Sequence, residues 1–491
     1  MSKQRISISS SLIWSTASSF GTQILSFLTF AILARLLGAP VFGIVALAAL
    51  VIDLMLVVSN AGINEAVIQR RTLDEIDADT AFWCNLGCGL LFCISTLLAA
   101  PSIAALFAQP QLAPIVTALA TIFAITPLGA IHTARLTREL QFRSIAARNI
   151  VASLAGAAVG LPLAFAGYGV WALVGQRLAA SLAMAVSAWI SLPWLPRMRF
   201  RWRTCCEMVR FGAYIGIAGT LNQFNIRSAE LISGLLIGPI SVAFIRAGSR
   251  IFEVINQITY IPFQQISLPL LSRSSHDMEV LRNTYLRLNR LSAFIMFPAF
   301  LGALGLAREI VGLVFGTGWE PVADAIRIFA CAVFASQMNN LIVVAITAVG
   351  QSRTVLSWTS TQIVIGLAAA IAVHKWGWQA MLMTGVARGY IVLPYGFNLL
   401  RKHVGVRFYE VLVGLRPALC SSILMALIVS GGIIACRGYL TQLTIVMIWL
   451  PLGVTVYLAT YFCQDRTIFT QLRDMIAARR EKSVMALPIN G

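Results

Sequence analysis

Apolar segments of about 20 residues, each long enough to cross roughly 30 Å of hydrocarbon as a helix, recur from near the start to near the end of this 491-residue chain. The period-2 alternation of a membrane barrel is absent, so helices are the remaining way to satisfy the backbone in lipid. With 58% hydrophobic and 11% charged residues, the chain is too apolar for a water-soluble globule. The spacing predicts an all-α polytopic membrane protein with about fourteen transmembrane helices between residues 11 and 463.

Basic residues set the orientation. One set of alternating loops carries most of the 37 Lys and Arg, whereas the opposite set carries only Arg35, Arg308, Lys375 and Arg437. Cytoplasmic loops attract such an excess, which places both termini in the cytoplasm. The net charge of +18 is dispersed among these short loops, so anionic membrane lipids, not nucleic acid, are the expected partner.

The largest interruption is LPWLPRMRFRWRTCCEMVR, with Arg197, Arg199, Arg201, Arg203 and Arg210. It reads as an ordinary basic loop or as a hinge lying in the cytoplasmic interface. It divides the chain into residues 1–192 (six helices), a connector at 193–210, residues 211–400 (six more), two extra helices at 401–465 and a basic amphipathic tail at 466–491. The halves echo each other. ARLLGAPVFGIVALAALVIDLM parallels SGLLIGPISVAFIRAGSRIFEVI, each with a Leu-Gly-Pro turn, an aromatic and a returning span. Repeats of six spans keep their orientation and define two bundles around a central cavity.

The stretch Phe211 to Pro269 is long enough for two spans yet carries charge. Gln223, Arg227, Glu230 and Gly234 fall at i, i+4, i+7 and i+11 on one helical face, and Arg246, Arg250, Glu253 and Gln257 repeat that spacing. An Arg at the centre of a span costs roughly 2.5–3.5 kcal/mol even on the lenient scale, so these faces point to an interior or a wet cavity. Two readings stand side by side. Internal pairing, Arg227 with Glu230 or Arg250 with Glu253, is one. The other is an anion site, since the planar guanidinium fork suits phosphate oxygens. Arg177 and Arg388 have no acidic neighbour in sequence. Asp53, Asn60 and Asn64 are expected on one face of the second helix, as helix-helix glue or cavity wall.

Catalytic readings find little support. No H-E-x-x-H, G-x-S-x-G or P-loop occurs. His132, His276, His374 and His403 read as interfacial or solvated, Asp74, Glu75, Asp77 and Asp79 as a solvated acidic loop capping the third helix, and the nine cysteines as small packing residues. No cofactor or metal is expected.

LARLLGAPVFGIVAL, NAGINEAVIQRR, TAFWCNLGCGLLF, APSIAALFAQPQL, TRELQFRSIAARN and AGYGVWALVGQRL, in that order, resemble the polysaccharide exporters of the multidrug/oligosaccharidyl-lipid/polysaccharide superfamily. Beyond about residue 250 the resemblance is looser, anchored by VFGTGWEPVADAIRIFA and AVGQSR. It implies two six-helix lobes in a V, helices 1, 2, 7 and 8 lining the cavity, and two extra C-terminal helices. It also implies translocation of an undecaprenyl-pyrophosphate-linked oligosaccharide repeat unit across the bacterial inner membrane by alternating access, for exopolysaccharide or lipopolysaccharide assembly, with a polymerase and co-polymerase as partners.

On this reading Arg227, Arg246, Arg250, Arg177 and Arg388 contact the pyrophosphate, a role that rests on their chemistry and not on a family motif. Asn60, Asn64, Asn222, Asn225, Gln223 and Gln257 meet sugar hydroxyls. Asp53, Glu230 and Glu253 are gating or ion-coupling groups. The alternatives are a cation-coupled multidrug exporter of the same superfamily, a membrane glycan polymerase, for which the outer loops are short, and an uncoupled scramblase.

Overall fold

In the computed structural model the described residues are 21–59, 62–70, 72–436 and 438–466, less the side chains of 214, 215, 217, 218, 222, 262 and 352. Asn60, Asn222 and the tail beyond Arg466 therefore lie outside the described residues. Those described are helical throughout, joined by short turns. Large apolar side chains stand exposed on helix exteriors, Leu98 and Ile190 at 77% and Leu427 at 65%. Such surfaces belong against lipid chains. Among the described residues nine helices are long and apolar enough to cross a membrane, or ten if the pair Val322–Cys331 and Val333–Ala348, bent by 50°, is one broken span. The chain is a multi-pass membrane protein.

That count differs from the fourteen expected, for identifiable reasons. The first two expected spans form one element, α1 (Gly21–Ser59), bent at Gly38 (φ 72°, ψ 166°) with Pro40 just beyond. The α9 helix (Pro239–Thr259) is too charged to count, since Arg246, Arg250 and Glu253 fall within its 21 residues.

Contacts divide the chain into two compact units. Among the described residues the first comprises 21–250 with two later pieces, 314–322 and 367–382. After α1 come α2 (Ile63–Gln69), α3 (Glu75–Leu106), α4 (Leu112–Ala120), α5 (Ile122–Arg138), α6 (Phe142–Phe165), α7 (Val170–Ser191), α8 (Trp202–Leu236) and the start of α9. The two Leu-Gly-Pro turns of the sequence repeat both occur here. Each turns on a glycine with positive φ, Gly38 at 72° and Gly238 at 120°, a conformation that a side chain would strain. Residues 314–322 pack onto these turns: Trp319 is fully buried, donates from Nε1 to the Ala34 carbonyl at 3.2 Å, and meets the rings of Phe42 and Phe244.

The segment between α7 and α8 is pinned to the start of α3. Trp83 Nε1 donates to the Arg197 carbonyl at 2.9 Å, Asp79 Oδ1 accepts from the Arg197 amide at 3.0 Å, and Thr80 Oγ1 accepts from the Arg201 amide at 3.1 Å. Asp77, buried, pairs with Arg70 at 2.6 Å and accepts from Thr204 at 3.2 Å. Three readings of the sequence are corrected here. Asp77 and Asp79 are buried anchors on a helix, not a solvated loop, and Asp74, at the N-cap, makes no side-chain capping bond. His132 is fully buried between Trp189 and Trp194 and donates from Nε2 to the Trp194 carbonyl at 3.0 Å. Cys84 and Cys205 form a disulfide between α3 and α8 across 121 residues, because their helices meet where no local pattern joins them.

Among the described residues the second unit comprises 251–313, 323–366 and 383–466. It holds the rest of α9, α10 (Ile261–Ser274), α11 (Met278–Gly305), α12 (Ala307–Val314), α13 (Val322–Cys331), α14 (Val333–Ala348), most of α15 (Ser352–Val373), the end of α16 (Trp378–Ile391), α17 (Leu393–Val404), α18 (Phe408–Cys436) and α19 (Gln442–Gln464). Its core packs Tyr285, Phe297, Phe300, Trp358, Tyr457 and Tyr461. One polar cluster is embedded in it, where Gln337 Nε2 donates to Asn289 Oδ1 at 2.9 Å and Ser292 Oγ at 2.8 Å. Helices α18 and α19 coincide with the two C-terminal helices expected from the sequence.

Candidate functional site

Five charged side chains from four helices of the first unit form a continuous chain. On α8, Arg227 and Glu230 are three residues apart and pair at 2.8 Å. The other Glu230 oxygen accepts from Arg246 on α9 at 3.2 Å. Arg246 reaches Asp53 on α1 at 3.3 Å through its second terminal nitrogen, and Asp53 also accepts from Arg177 on α7. Glu230 is almost fully buried (4% of its side chain exposed), with Arg227 and Arg246 at 17% and 18%. Each carboxylate thus serves two guanidiniums, and among these five groups guanidiniums outnumber carboxylates three to two.

Charges so removed from water hold their positions only while partnered, and a buried pair that loses one member is strongly destabilised. That makes the chain a device with alternatives: an incoming anion competes with Asp53 and Glu230 for guanidinium donors, and a proton or cation competes for the carboxylates.

Arg250, one turn beyond Arg246, donates to Ser26 Oγ on α1 at 2.8 Å. Gln223 and Asn225 are half-buried on α8. Three expected site residues fall in the second unit. Glu253 and Gln257 are half-buried on the continuation of α9, and Arg388 on α16 donates to the Gln362 carbonyl at 3.4 Å. Asn64 does not continue the face of Asp53. The helix that carries Asp53 ends at Ser59, Gly62 turns with φ 67°, and Asn64 sits on the new helix α2, accepting from Asn85 at 3.1 Å.

One buried cation was missed. Arg148, not among the expected site residues, is 2% exposed on the second turn of α6 and donates to Thr133 Oγ1 at 2.8 Å. The sequence signal for it is the pair Ala146 and Ala147 just before it, which continue the apolar helix in the N-terminal direction.

Comparison with known proteins agrees with this architecture. A family model described as polysaccharide biosynthesis protein matches residues 32–324. The succinoglycan biosynthesis transport protein ExoT of Rhizobium meliloti (strain 1021) is 22% identical over 478 residues, 96% of each chain. The lipopolysaccharide biosynthesis protein WzxC of Escherichia coli (strain K12) is 23% identical over 318 residues, 63% of each. Among solved structures, the lipid II flippase MurJ in an inward closed conformation superposes with a TM-score of 0.77 at 14% identity, covering 93% of this chain and all of that one. At that identity the likeness is one of fold.

Proposed function

The chain belongs to the polysaccharide biosynthesis protein family, and from that premise we propose that it is a flippase for lipid-linked oligosaccharide repeat units. It moves the unit from the cytoplasmic to the outer leaflet of the bacterial inner membrane by alternating access, supplying exopolysaccharide or lipopolysaccharide assembly. The observation that carries the proposal is the chain Arg177–Asp53–Arg246–Glu230–Arg227, a set of exchangeable ion pairs that joins the membrane-length helices α1 and α7 to α8 and α9. It suits the pyrophosphate of an undecaprenyl-pyrophosphate carrier, while the prenyl tail stays in lipid.

Arg227, Arg246 and Arg250 take the pyrophosphate, with Arg177 and Arg388 as further contacts. Asp53, Glu230 and Glu253 gate the cycle by trading an Arg partner for a proton or cation. Amides at Gln223, Asn225, Asn64 and Gln257, with Asn60 and Asn222, meet sugar hydroxyls. Residues 1–192 and 211–400 act as the two moving lobes, with both termini in the cytoplasm and a polymerase and co-polymerase receiving the product.

The test is the sidedness of the lipid-linked repeat unit in inverted vesicles carrying wild type or Arg246→Gln at matched protein level. Delivery to the lumen by wild type and its loss in the variant support the reading. Equal delivery by both removes the ion chain from the transport path, and delivery by neither refutes the flippase.

A further inference from the structure

A cavity of about 620 Å³ lies within the first unit, walled by α1, α2, α5, α6 and α7 and separate from the ion chain in its lining residues. Its wall sets amides and hydroxyls among small apolar side chains and is almost wholly uncharged. Amides come from Asn64, Asn149 and Gln176, hydroxyls from Ser26, Thr133 and Ser153, and small residues such as Gly156 and Ala180 leave the space open. Among the described residues no aromatic ring and no carboxylate lines it, and the one charged group on its wall is Arg148.

The state of Arg148 is what asks for a ligand. Its Nη2 donates to Thr133 Oγ1 at 2.8 Å and to the Met184 carbonyl at 3.4 Å. Nε and Nη1 are buried and donate to nothing among the described residues, and no described carboxylate pairs with the side chain. A guanidinium taken out of water without a counter-charge is among the least favourable arrangements a fold can hold, and an arriving anion relieves it.

We propose that this cavity binds a sugar residue bearing a single carboxylate, a uronic acid or a carboxylated substituent, within the oligosaccharide that the protein carries. The volume is in the range of small-ligand sites. Amides and hydroxyls without aromatic or acidic neighbours pair with sugar hydroxyls, and one guanidinium balances one negative charge. A pyrophosphate, with more charge than one guanidinium balances, fits the ion chain better. The proposal rests on the flippase reading for its glycan, and gives the carrier a means of selecting acidic repeat units.

The test uses the full chain in nanodiscs, with sodium glucuronate, glucose and inorganic phosphate as probes and the melting temperature as readout. Glucuronate is expected to raise the melting temperature saturably, by about 2 °C at tenfold its half-saturating concentration, with glucose acting at least about tenfold more weakly. Thr133→Asp places a carboxylate beside Arg148 and is expected to abolish the glucuronate response while keeping or raising the unliganded melting temperature. Arg353→Gln, exposed in the second unit, keeps the response.

An equal response to glucose overturns the proposal, as does a phosphate response matching that of glucuronate, no response in wild type, or a full response in Thr133→Asp. Because binding is read without transport, its failure leaves the vesicle assay standing. Failure of that assay with glucuronate binding intact refutes the flippase alone.

Discussion

Gly43 and Pro239, 196 positions apart in the chain, are in backbone contact: a Cβ on Gly43 would lie 2.3 Å from the Pro239 carbonyl oxygen. The two Leu-Gly-Pro turns that echo each other in sequence thus pack directly on one another. Gly43 is glycine because the partner is rigid backbone, which cannot give way as a flexible side chain would.

Gly43→Val should therefore destabilise by about 1–3 kcal/mol, the usual cost of overpacking, seen as a lower melting temperature. Gly87→Ala, on α3 where an added Cβ meets nothing within 4 Å, should instead be stabilising by about 0.5–1 kcal/mol. If both substitutions behave alike, the contact between the turns is not what constrains Gly43.

The ion chain makes a prediction about coupling. Arg246→Gln alone leaves Asp53 and Glu230 each short of one donor and should cost about 3–5 kcal/mol. Adding Glu230→Gln removes one of the stranded charges, so the double variant should be less damaged than the sum of the singles, with a coupling energy of about 0.5–3 kcal/mol. Denaturation of the four proteins in one detergent completes the cycle; additivity would show that the pair carries no interaction energy.

The disulfide predicts selective protection. Cys84 and Cys205 should resist alkylation until the purified protein is reduced, whereas the exposed Cys206 reacts at once. Cys84→Ser should lower stability by about 2–4 kcal/mol, given the long loop that the bond closes. Peptide mass spectrometry before and after reduction reads the first outcome, and thermal melting the second.

What the sequence disclosed was what helix geometry decides locally. Arg227 and Glu230, three residues apart, could be paired on paper because that spacing stacks side chains on one face. Arg177 and Asp53 could not, since 124 residues separate them and only packing of α7 on α1 joins them. Asn64 was misplaced for a reason visible in one residue. The sequence pattern runs through Gly62 as if the helix were continuous, and the backbone there turns left-handed. Arg148 lies six residues into α6, in the basic stretch TRELQFRSIAARN, and a basic residue at a span's edge looks like a loop cation until tertiary structure buries it.

Trp319 carries a consequence for biogenesis. It fills a fully buried position against Ala34, Phe42 and Phe244, yet it is made long after them, as are residues 367–382 of the same unit. The ribosome must therefore have passed residue 382 before the first unit has all its parts, with the helices up to Arg250 waiting in the membrane half-assembled. A chain cut at residue 250 would hold every member of the ion chain and still lack the indole beneath its turns, so the two units cannot mature one after the other in order of synthesis.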